Sequence, residues 1–521
     1  MRIVQNRLGL AVCLFVVAVV SLALLRPLLP IDETRYLTVA WEMWQGSSKF
    51  VPSLNGEIYS HKPPLLFWLM NIVWLITGVS EIAARMVAPA FGLVSIILTA
   101  RLARALWAYT PERAGFSALI LATGVVFVLF GSTTMFDTML TTAVLGAMLA
   151  LLALCRAPGF LPRLGFGAAL ALGVLAKGPV VLVHVLPVAF LMPVWTDRAT
   201  RPPLGRWYRD IGLGIAVALA LVMIWLGPAL AIGGEVYRTD VLWRQSAGRM
   251  MASFAHDRPF WFFPAFLPLF VWPWGWSRNA MQSLFSRRLL NEESSRFVLV
   301  WAVSALIIFS LISGKQAHYL LPELPALALL LSGMLISPVS FVRKMLLLIP
   351  VLLVSGLAVT FFAGAMPEAQ VNDAEMPVHI LLLTLAVSVA LVVAVMVIKS
   401  AVLATAIAAP TTLVALHLAL TPMIWAGYDP GIIAGIVEQQ QAKGVATTDS
   451  GYAGQFNFAG RLLRPISDVS GPAALSAWVE ANPGGILISR GDLDDPALKL
   501  ILQRSFQGKD YRLYRAAEPS K

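Results

Sequence analysis

Long apolar runs set the strongest limit on what this chain can fold into. A helix needs about 20 apolar residues to cross the hydrocarbon core of a bilayer, and the sequence contains many runs near that length. Of its 521 residues 58% are hydrophobic and 13% are charged, whereas about 25% of the residues of a soluble domain are charged. The sequence therefore predicts a mostly α-helical protein that passes through a membrane many times.

About thirteen membrane-spanning segments are predicted from these runs. They are 8–29, 82–104, 114–131, 138–155, 164–176, 179–195, 211–231, 259–276, 297–313, 318–336, 345–363, 378–398 and 401–425. The first run has a basic tip but no small-x-small cleavage site after it, so it is interpreted as an uncleaved span rather than a signal peptide. The apolar segment 64–76 is short and follows a charged loop, which predicts a re-entrant or interfacial helix.

The positions of Lys and Arg predict how these spans are oriented. If the N-terminus is inside, alternate connections that carry clusters of Lys or Arg all fall on the cytoplasmic side, as the positive-inside rule requires. The same excess explains the formal net charge of +11 without nucleic acid as a partner. The loop at 30–80 and the C-terminus are then predicted to lie outside, in the periplasm of a bacterial inner membrane.

The composition changes after residue 425. The sequence predicts a transmembrane domain at 1–425 and a small periplasmic α/β domain at 426–521. Helices are predicted at 430–441, 472–481 and 496–507, and strands at "GVATTD", "RLLRPIS", "GGILISRG" and "DYRLYRAA". In "GDLDDP", Asp495 before Pro496 is interpreted as a helix N-cap rather than as part of a catalytic Asp-x-Asp motif.

Ionisable residues gather at the predicted outer ends of the spans, where charges near lipid are costly and usually functional. On the predicted topology they all face one side and could converge on a cavity that opens outward. They are Asp32, Glu33, Arg35, His61, Lys62, Glu81, Arg85, Asp137, Lys177, His256, Asp257, Lys315, His318 and Tyr319.

These residue types suit transfer chemistry at a phosphate. A carboxylate can act as a general base or bind a divalent cation, while Lys and Arg can hold a phosphate and stabilise it as it leaves. The sequence contains no P-loop and no GxGxxG after a strand. A donor carried by the lipid itself, such as a polyprenyl-phosphate sugar, is therefore expected, and Trp41, Trp44 and Trp68 could stack on sugar.

A set of motifs in a fixed order resembles a known family. They are "DETRY" after the first span, "HKPPLLFW" at 61–68, "AKGP" at 176–179, "HDRPFWFF" at 256–263 and "SGKQAHYLLPELPALALL" at 313–330. Together they resemble the lipid-linked-sugar glycosyltransferases of the protein O-mannosyltransferase and lipid A aminoarabinose transferase type. The resemblance implies the membrane-embedded C-type fold. The chain has no room for the lumenal trefoil-type domain of the mannosyltransferases, which favours the aminoarabinose branch.

The resemblance also implies roles for matching residues. Asp32 and Glu33 match an acidic pair, of which the first lies at the reaction centre as base or metal contact. Asp137 matches a second acid, so Asp32, Glu33 and Asp137 are the expected catalytic residues. A divalent metal at Asp32 and Asp137 is a further expectation. Lys62 matches a basic residue that holds the donor phosphate, although "HKPP" has His61 where an acidic residue is expected.

Six further residues are assigned on weaker grounds. Arg35 falls where the motif places an arginine, and Lys177 and Lys315 are candidate phosphate ligands. His256 precedes "PFW", and it and the pair His318 and Tyr319 are candidates for the site.

Structural interpretations remain open beside these roles. Glu33 could cap an interfacial helix, Arg85 could pair with Glu81 at i,i+4, and Lys177 could cap a helix C-terminus. His256 could be structural, and His318 and Tyr319 could be interfacial. Asp137 could simply suit a helix N-terminus.

The function favoured by the sequence is transfer of one sugar from undecaprenyl phosphate to an acceptor at the periplasmic face. Direct attack at the anomeric carbon predicts inversion, and a lipid such as lipid A is the expected acceptor. The alternatives are a protein or glycan acceptor, a transporter or flippase of a lipid-linked substrate, and a scaffold without activity. Transporters usually show inverted repeats and charges near mid-membrane, and neither is evident here.

Overall fold

The structure is a computed structural model that describes residues 2–46, 48–242, 258–284, 286–333, 340–363 and 377–518. The helices up to residue 239 are α1 (Arg2–Leu25), α2 (Asp32–Trp44), α3 (Leu65–Thr77), α4 (Glu81–Arg85), α5 (Val87–Leu106), α6 (Glu112–Ala122), α7 (Val125–Gly131), α8 (Asp137–Arg156), α9 (Phe160–Lys177), α10 (Val180–Phe190), α11 (Met192–Trp195), α12 (Leu204–Ile232) and α13 (Gly234–Thr239). The later α-helices are Phe262–Phe270, Arg278–Leu284, Arg288–Asn291, Glu293–Leu311, Leu324–Leu331, Phe341–Phe362, Val378–Val397, Ala401–Met423, Gly431–Gln440 and Pro472–Ala481. Short 3-10 helices cover Ala317–Glu323, Trp425–Tyr428 and Gln441–Lys443.

Nine helices within the described residues are long and apolar enough to cross a membrane, and a tenth span is possible if α6 and α7, which meet at a bend of 62°, act as one. They are Asn6–Leu25, Glu81–Leu106, Asp137–Arg156, Phe160–Lys177, Leu204–Ile232, Glu293–Leu311, Val342–Phe362, Val378–Val397 and Ala401–Pro422. Each of them, and the bent pair, falls on a predicted span. The mostly helical, multi-pass membrane fold is therefore confirmed.

The predicted count of thirteen spans is not confirmed. Within the described residues, the predicted spans 179–195, 259–276 and 318–336 contain only shorter helices, of which the longest α-helix, α10, has 11 residues. At 1.5 Å per residue such a helix covers about 17 Å of a core about 30 Å thick. Prolines lie inside α10, inside Phe262–Phe270 and inside the 3-10 helix Ala317–Glu323. Proline removes a helical hydrogen bond, but the long helix α12 also contains one, so proline alone does not explain why these helices are short.

Helix α8 lies at the centre of the membrane part, and 78% of its 18-residue apolar stretch is buried. It packs between α5 and α9, and its small residues let neighbouring helices come close. Asp137 is the first residue of this helix. The most buried of the nine helices thus begins with a carboxylate, which is held where packing fixes its position.

The segment between α1 and α5 forms a compact layer. Helix α2 packs on α3, and both contribute to one hydrophobic cluster that includes Tyr36, Phe67, Phe136 and Phe458. Helix α3 has 13 residues, in keeping with the prediction of a short apolar helix. Between α2 and α3 lies a small antiparallel hairpin of β1 (Ser53–Leu54) and β2 (Glu57–Ile58).

The C-terminal part contains a five-stranded mixed sheet with the order β4-β3-β5-β7-β6. Its strands are β3 (Val445–Thr447), β4 (Ser467–Asp468), β5 (Ile486–Ser489), β6 (Leu498–Phe506) and β7 (Lys509–Ala516). Helix Gly431–Gln440 packs on one face and helix Pro472–Ala481 on the other. The predicted small α/β region is confirmed as a sheet between two helices. The boundary at residue 425 stays a prediction.

The prediction of a helix at 496–507 is wrong, because this stretch is strand β6. Strand β6 pairs antiparallel with β7 through a tight turn at Gln507 and Gly508, both with positive φ. Asp495 accepts a hydrogen bond from the backbone of Ala497 at 2.8 Å, so it caps a turn rather than a helix. The pairing with β7 outweighs the local helical pattern. The stretch "RLLRPIS" likewise forms a strand only from Ser467 onward.

Candidate functional site

The site begins at Asp32, the first residue of α2. Its side chain is 52% exposed, and it accepts a hydrogen bond from the Tyr36 hydroxyl at 3.0 Å. The guanidinium of Arg35 lies 3.9 Å from the same carboxylate. The negative charge suits the N-terminus of a helix. Asp32 is thus an open, oriented carboxylate that can contact a second molecule.

The neighbouring Glu33 has a very different environment. Its buried carboxylate forms an ion pair with Arg26, and it also accepts hydrogen bonds from the backbone N–H groups of Leu29 at 3.0 Å and Thr134 at 2.7 Å. Burial by itself would raise the pKa of Glu33, but the charge and hydrogen bonds of Arg26 outweigh it, and the pKa falls to about 2. Both acids of this pair are predicted to be catalytic, whereas the structure gives only Asp32 an open carboxylate.

The Arg26–Glu33 pair connects two parts of the site. Arg26 also donates to the backbone oxygen of Ser132 at 2.9 Å, and Ser132 and Thr134 lie just before Asp137 in the chain. The pair therefore fixes the start of α2, which carries Asp32, relative to the start of α8, which carries Asp137. A buried ion pair that is also hydrogen-bonded to the surrounding backbone can specify one geometry.

Arg85 supports the same network. It donates to Glu81 at 3.0 Å, in the i,i+4 pair that the sequence suggested as its structural role, and to the backbone oxygen of Arg26 at 3.2 Å. The structure thus places Arg85 behind the Arg26–Glu33 pair.

Asp137 and Lys177 form a second, largely buried ion pair. The Lys177 ammonium donates to Asp137 Oδ1 at 2.5 Å, while Asp137 Oδ2 is buried with no hydrogen-bond partner among the described residues. The same ammonium lies 5.1 Å from the centre of the Tyr319 ring. A buried carboxylate oxygen without a hydrogen-bond partner marks a place where a further group can bind.

Lys62 and His318 complete the cluster. Lys62 Nζ lies 5.6 Å from the centre of the Phe136 ring, next to Asp137 in sequence. His318 packs on Phe130 and Tyr319. Burial lowers the pKa of His318 to about 4, and the charges of Lys177 and Lys62 act in the same direction while the two aspartates oppose them. His318 is therefore neutral at neutral pH.

Six predicted residues therefore come together in one cluster at the ends of α2, α8 and α9. They are Asp32, Lys62, Asp137, Lys177, His318 and Tyr319. The cluster contains two carboxylates, two ammonium groups, a neutral imidazole and a phenol. Such a set can hold an anionic phosphate and orient a nucleophile beside it.

The other predicted residues lie elsewhere or point differently. The buried Lys315 ammonium donates to the backbone oxygens of Arg258 at 2.8 Å and Ser313 at 3.5 Å, so it holds two chain segments together. His61 is exposed and packs near Tyr59. His256 lies outside the described residues.

Two residues that hold the site together are absent from the sequence-based prediction. Tyr36 belongs to "DETRY" itself, and its hydroxyl orients Asp32. Arg26 stands directly after the first apolar run, and a charge in that place is a signal of function. Considering charges at both ends of each span would have identified it.

The predicted metal at Asp32 and Asp137 stays a prediction. Among the residues that the structure describes, no group of three or more His, Cys, Asp and Glu side chains could hold a metal ion. The Lys177 ammonium already takes one oxygen of Asp137, so a divalent cation there would have to bind at Oδ2.

Comparison with known proteins finds sequence relatives of this chain. Residues 61–226 match the family model described as dolichyl-phosphate-mannose-protein mannosyltransferase. The undecaprenyl phosphate-alpha-4-amino-4-deoxy-L-arabinose arabinosyl transferase of Pectobacterium atrosepticum is 30% identical over 328 residues, which cover 61% of this chain and 56% of that protein. One from Proteus mirabilis is 28% identical over 309 residues, covering 58% and 54%. The chain thus spans little more than half the length of the curated relatives it matches.

The same relationship appears in three dimensions. The structure is similar to that of ArnT from Cupriavidus metallidurans bound to undecaprenyl phosphate, with a TM-score of 0.72 at 16% identity, over 99% of each chain. The apo state of that protein gives a TM-score of 0.74, over 98% of this chain and 99% of that one. At this identity the match shows a common fold. The resemblance found in the motifs is confirmed: in sequence and in fold this chain is similar to the lipid-linked-sugar glycosyltransferases of the aminoarabinose transferase type.

Proposed function

We propose that this protein is a glycosyltransferase that uses a polyprenyl-phosphate sugar as its donor. The observation that carries the proposal is the cluster of Asp32, Lys62, Asp137 and Lys177, in which an open carboxylate lies beside ammonium groups at the ends of membrane helices. The matched relatives, which are named for transfer from undecaprenyl phosphate, support the same donor class.

The reaction that this cluster suits has one bond-making and one bond-breaking event. An acceptor oxygen attacks the anomeric carbon of the sugar, and the bond from that carbon to the phosphate oxygen breaks. The electron pair leaves with undecaprenyl phosphate, whose increased negative charge Lys62 stabilises by electrostatic attraction. Attack from the opposite side inverts the configuration at the anomeric carbon.

Asp32 is the group best suited to the acceptor. Its carboxylate is exposed and oriented by Tyr36, so it can accept the proton of an attacking hydroxyl. Asp137 and Lys177 are less exposed and already paired, which suits them to shape the electrostatic field around the phosphate. The neutral His318 imidazole beside them can donate one hydrogen bond without adding positive charge.

The acceptor and the compartment are parts of the proposal. We place the site at the periplasmic face of a bacterial inner membrane, with lipid A or another glycolipid as acceptor and a protein or glycan as the alternative. The arrangement of basic loops supports this orientation. A reporter fused after Lys521 should be active only in the periplasm, and one fused within 195–209 only in the cytoplasm.

The direct test is transfer with purified full-length protein in lipid. The assay follows release of undecaprenyl phosphate from an undecaprenyl-phosphate sugar in the presence of extracted envelope lipids, with a nucleotide sugar as the comparison donor. We expect turnover with the lipid-linked donor only, together with an acceptor whose mass rises by one sugar residue. Efficient transfer from the nucleotide sugar would contradict the proposal, and so would movement of the lipid-linked sugar across the bilayer without a new glycosidic bond.

A further inference from the structure

A cavity of about 490 Å³ lies between α2, the β1–β2 hairpin, the end of α12 and the C-terminal segment 457–465. It does not coincide with the Asp32 cluster. Trp41, on its wall, is nine residues after Asp32, which corresponds to about 14 Å along the helix axis. The volume lies within the range of about 300 to 1,000 Å³ that ligand sites occupy.

The walls of this cavity are fixed by polar contacts. Asn55 in the hairpin turn donates to the backbone oxygen of Ile466 at 2.9 Å and accepts from the Asn457 amide at 3.0 Å. Glu42 accepts from the Ser53 hydroxyl at 2.6 Å. The hairpin, the helix and the C-terminal segment are thus held relative to one another before any ligand binds, which lowers the ordering cost of binding.

A second contact shows how closely the walls approach. At Gly56, which has a φ of +79°, a Cβ atom would lie 2.7 Å from Cγ of Pro465. The hairpin can come this near to the C-terminal segment because residue 56 has no side chain.

The chemistry of the walls is mixed. Trp41, Val51 and Pro465 supply apolar surface, while Gln45 and Ser48 supply polar atoms at the rim. Glu42 is the one acidic residue that lines the cavity within the described part of the chain. It already accepts from the backbone N–H groups of Asn55 at 2.5 Å and Gly56 at 3.2 Å as well as from Ser53.

Arg464 gives the cavity its positive charge. The side chain is exposed at the cavity wall, and it makes no salt bridge with any acidic residue that the structure describes. The exposed ring of Pro465 beside the largely buried Trp41 offers apolar surface to a sugar ring, and amide and hydroxyl groups can meet its substituents. With an available guanidinium for an anion, these are the features of a site for a charged saccharide.

We propose that this cavity binds an anionic sugar unit of the acceptor, at a distance from the atom that attacks the donor. The proposal rests on the function proposed above, because it assigns the bound sugar to the acceptor. A ligand about 14 Å from Asp32 along α2 is too far away to be the transferred sugar. The acceptor is therefore an elongated saccharide with a phosphate or carboxylate, rather than a short peptide or a small neutral glycolipid.

The test measures binding and turnover separately. The probe is lactose 1-phosphate, added to full-length protein in nanodiscs and followed by calorimetry, with lactose and inorganic phosphate as comparison ligands. The variants are Arg464→Ala, which removes the cation, and Leu463→Trp, which adds volume at the lining. Arg515→Ala changes an exposed arginine of strand β7 that does not line the cavity, and is the matched control.

We expect lactose 1-phosphate to bind more tightly than either comparison ligand. Arg464→Ala should weaken its binding about tenfold, as loss of a charge-assisted hydrogen bond does. Leu463→Trp should also weaken it, and Arg515→Ala should not. Asp32→Asn should leave this binding unchanged even though it is expected to stop turnover, which separates a failure of this inference from a failure of the proposed function.

Three results would overturn the inference. Unchanged affinity in both Arg464→Ala and Leu463→Trp would mean that the sugar binds elsewhere. Equal affinity for inorganic phosphate would mean that the guanidinium binds any anion. No measurable binding of lactose 1-phosphate to the parent protein would mean that the cavity does not accept a phosphorylated saccharide.

Discussion

The buried ion pair of Arg26 and Glu33 allows a quantitative prediction. Its two variants are Glu33→Gln and Arg26→Met, alone and together. The pKa of Glu33 falls from 4.5 to about 2 in the folded protein, which corresponds to about 3 kcal/mol in favour of the charged carboxylate. Removing one partner of such a pair typically costs about 3 to 5 kcal/mol, because the other charge stays buried without compensation.

The double variant separates the interaction energy of the ion pair from the energy that each residue contributes through its other contacts. Each single change should lower the free energy of unfolding by about 3 kcal/mol, and the double change should cost clearly less than the sum of the two. The measurement is reversible unfolding in mixed detergent micelles, followed by tryptophan fluorescence. Costs that add within about 0.5 kcal/mol would refute the reasoning, since independent sites behave in that way.

The same pair predicts an effect on turnover and on pH dependence. Because the pair fixes Asp32 relative to Asp137, Glu33→Gln should lower kcat by up to about 10²-fold while donor affinity changes little. The lowered pKa means that the stabilisation is complete above pH 4.5 and is lost as the pH falls through about 2. The stability difference between wild type and Glu33→Gln should therefore shrink over that range, and a difference independent of pH would contradict the assignment.

Three further outcomes follow from the site. Asp32→Asn should lower turnover by about 10²- to 10⁴-fold at normal expression, whereas Asp494→Asn on the exposed surface should leave turnover unchanged. Activity of Asp32→Asn within a few-fold of wild type would mean that Asp32 is not the reacting acid. Lys62→Ala should weaken donor binding together with turnover, and Lys62→Arg should recover part of the binding because the positive charge remains. Donor binding is measured by competition with undecaprenyl phosphate, and equal losses in Lys499→Ala would exclude a specific role of Lys62 in holding the donor. Gly56→Ala should loosen the hairpin from the C-terminal segment, because its Cβ would meet Pro465 at 2.7 Å, and unchanged rates of proteolysis in the 453–466 segment would contradict this.

The sequence predicted the membrane fold and much of the cluster because both depend on strong local signals. Apolar runs identify helices in lipid, and charges at their ends are rare enough to be informative. Asp32, Lys62, Asp137 and Lys177 were therefore recognisable as candidates without any structure. What such signals cannot supply is the direction of each side chain, since adjacent residues of one helix point to different sides.

The pair Asp32 and Glu33 illustrates that limit. One carboxylate is exposed beside Tyr36, and the next is buried against Arg26, and only the packing of α2 distinguishes them. Strand β6 illustrates another limit, because its partner β7 determines its conformation more strongly than its own residues do. Short helices such as α10 could not be separated from spans by hydropathy, since the run stays apolar beyond the helix end.

The contacts between α2 and the C-terminal segment also have a consequence for biosynthesis. Thr38 donates to the backbone oxygen of Gly454, a partner 416 residues later, and Trp41 donates to Leu462, 421 residues later. At about 5 to 20 residues per second, a ribosome needs about 20 to 80 s to translate that interval. Helix α2 is thus among the earliest parts of the chain to leave the ribosome and among the last to gain its final neighbours. A nascent chain halted before residue 454 would carry Asp32 on a helix that still lacks one side of its packing.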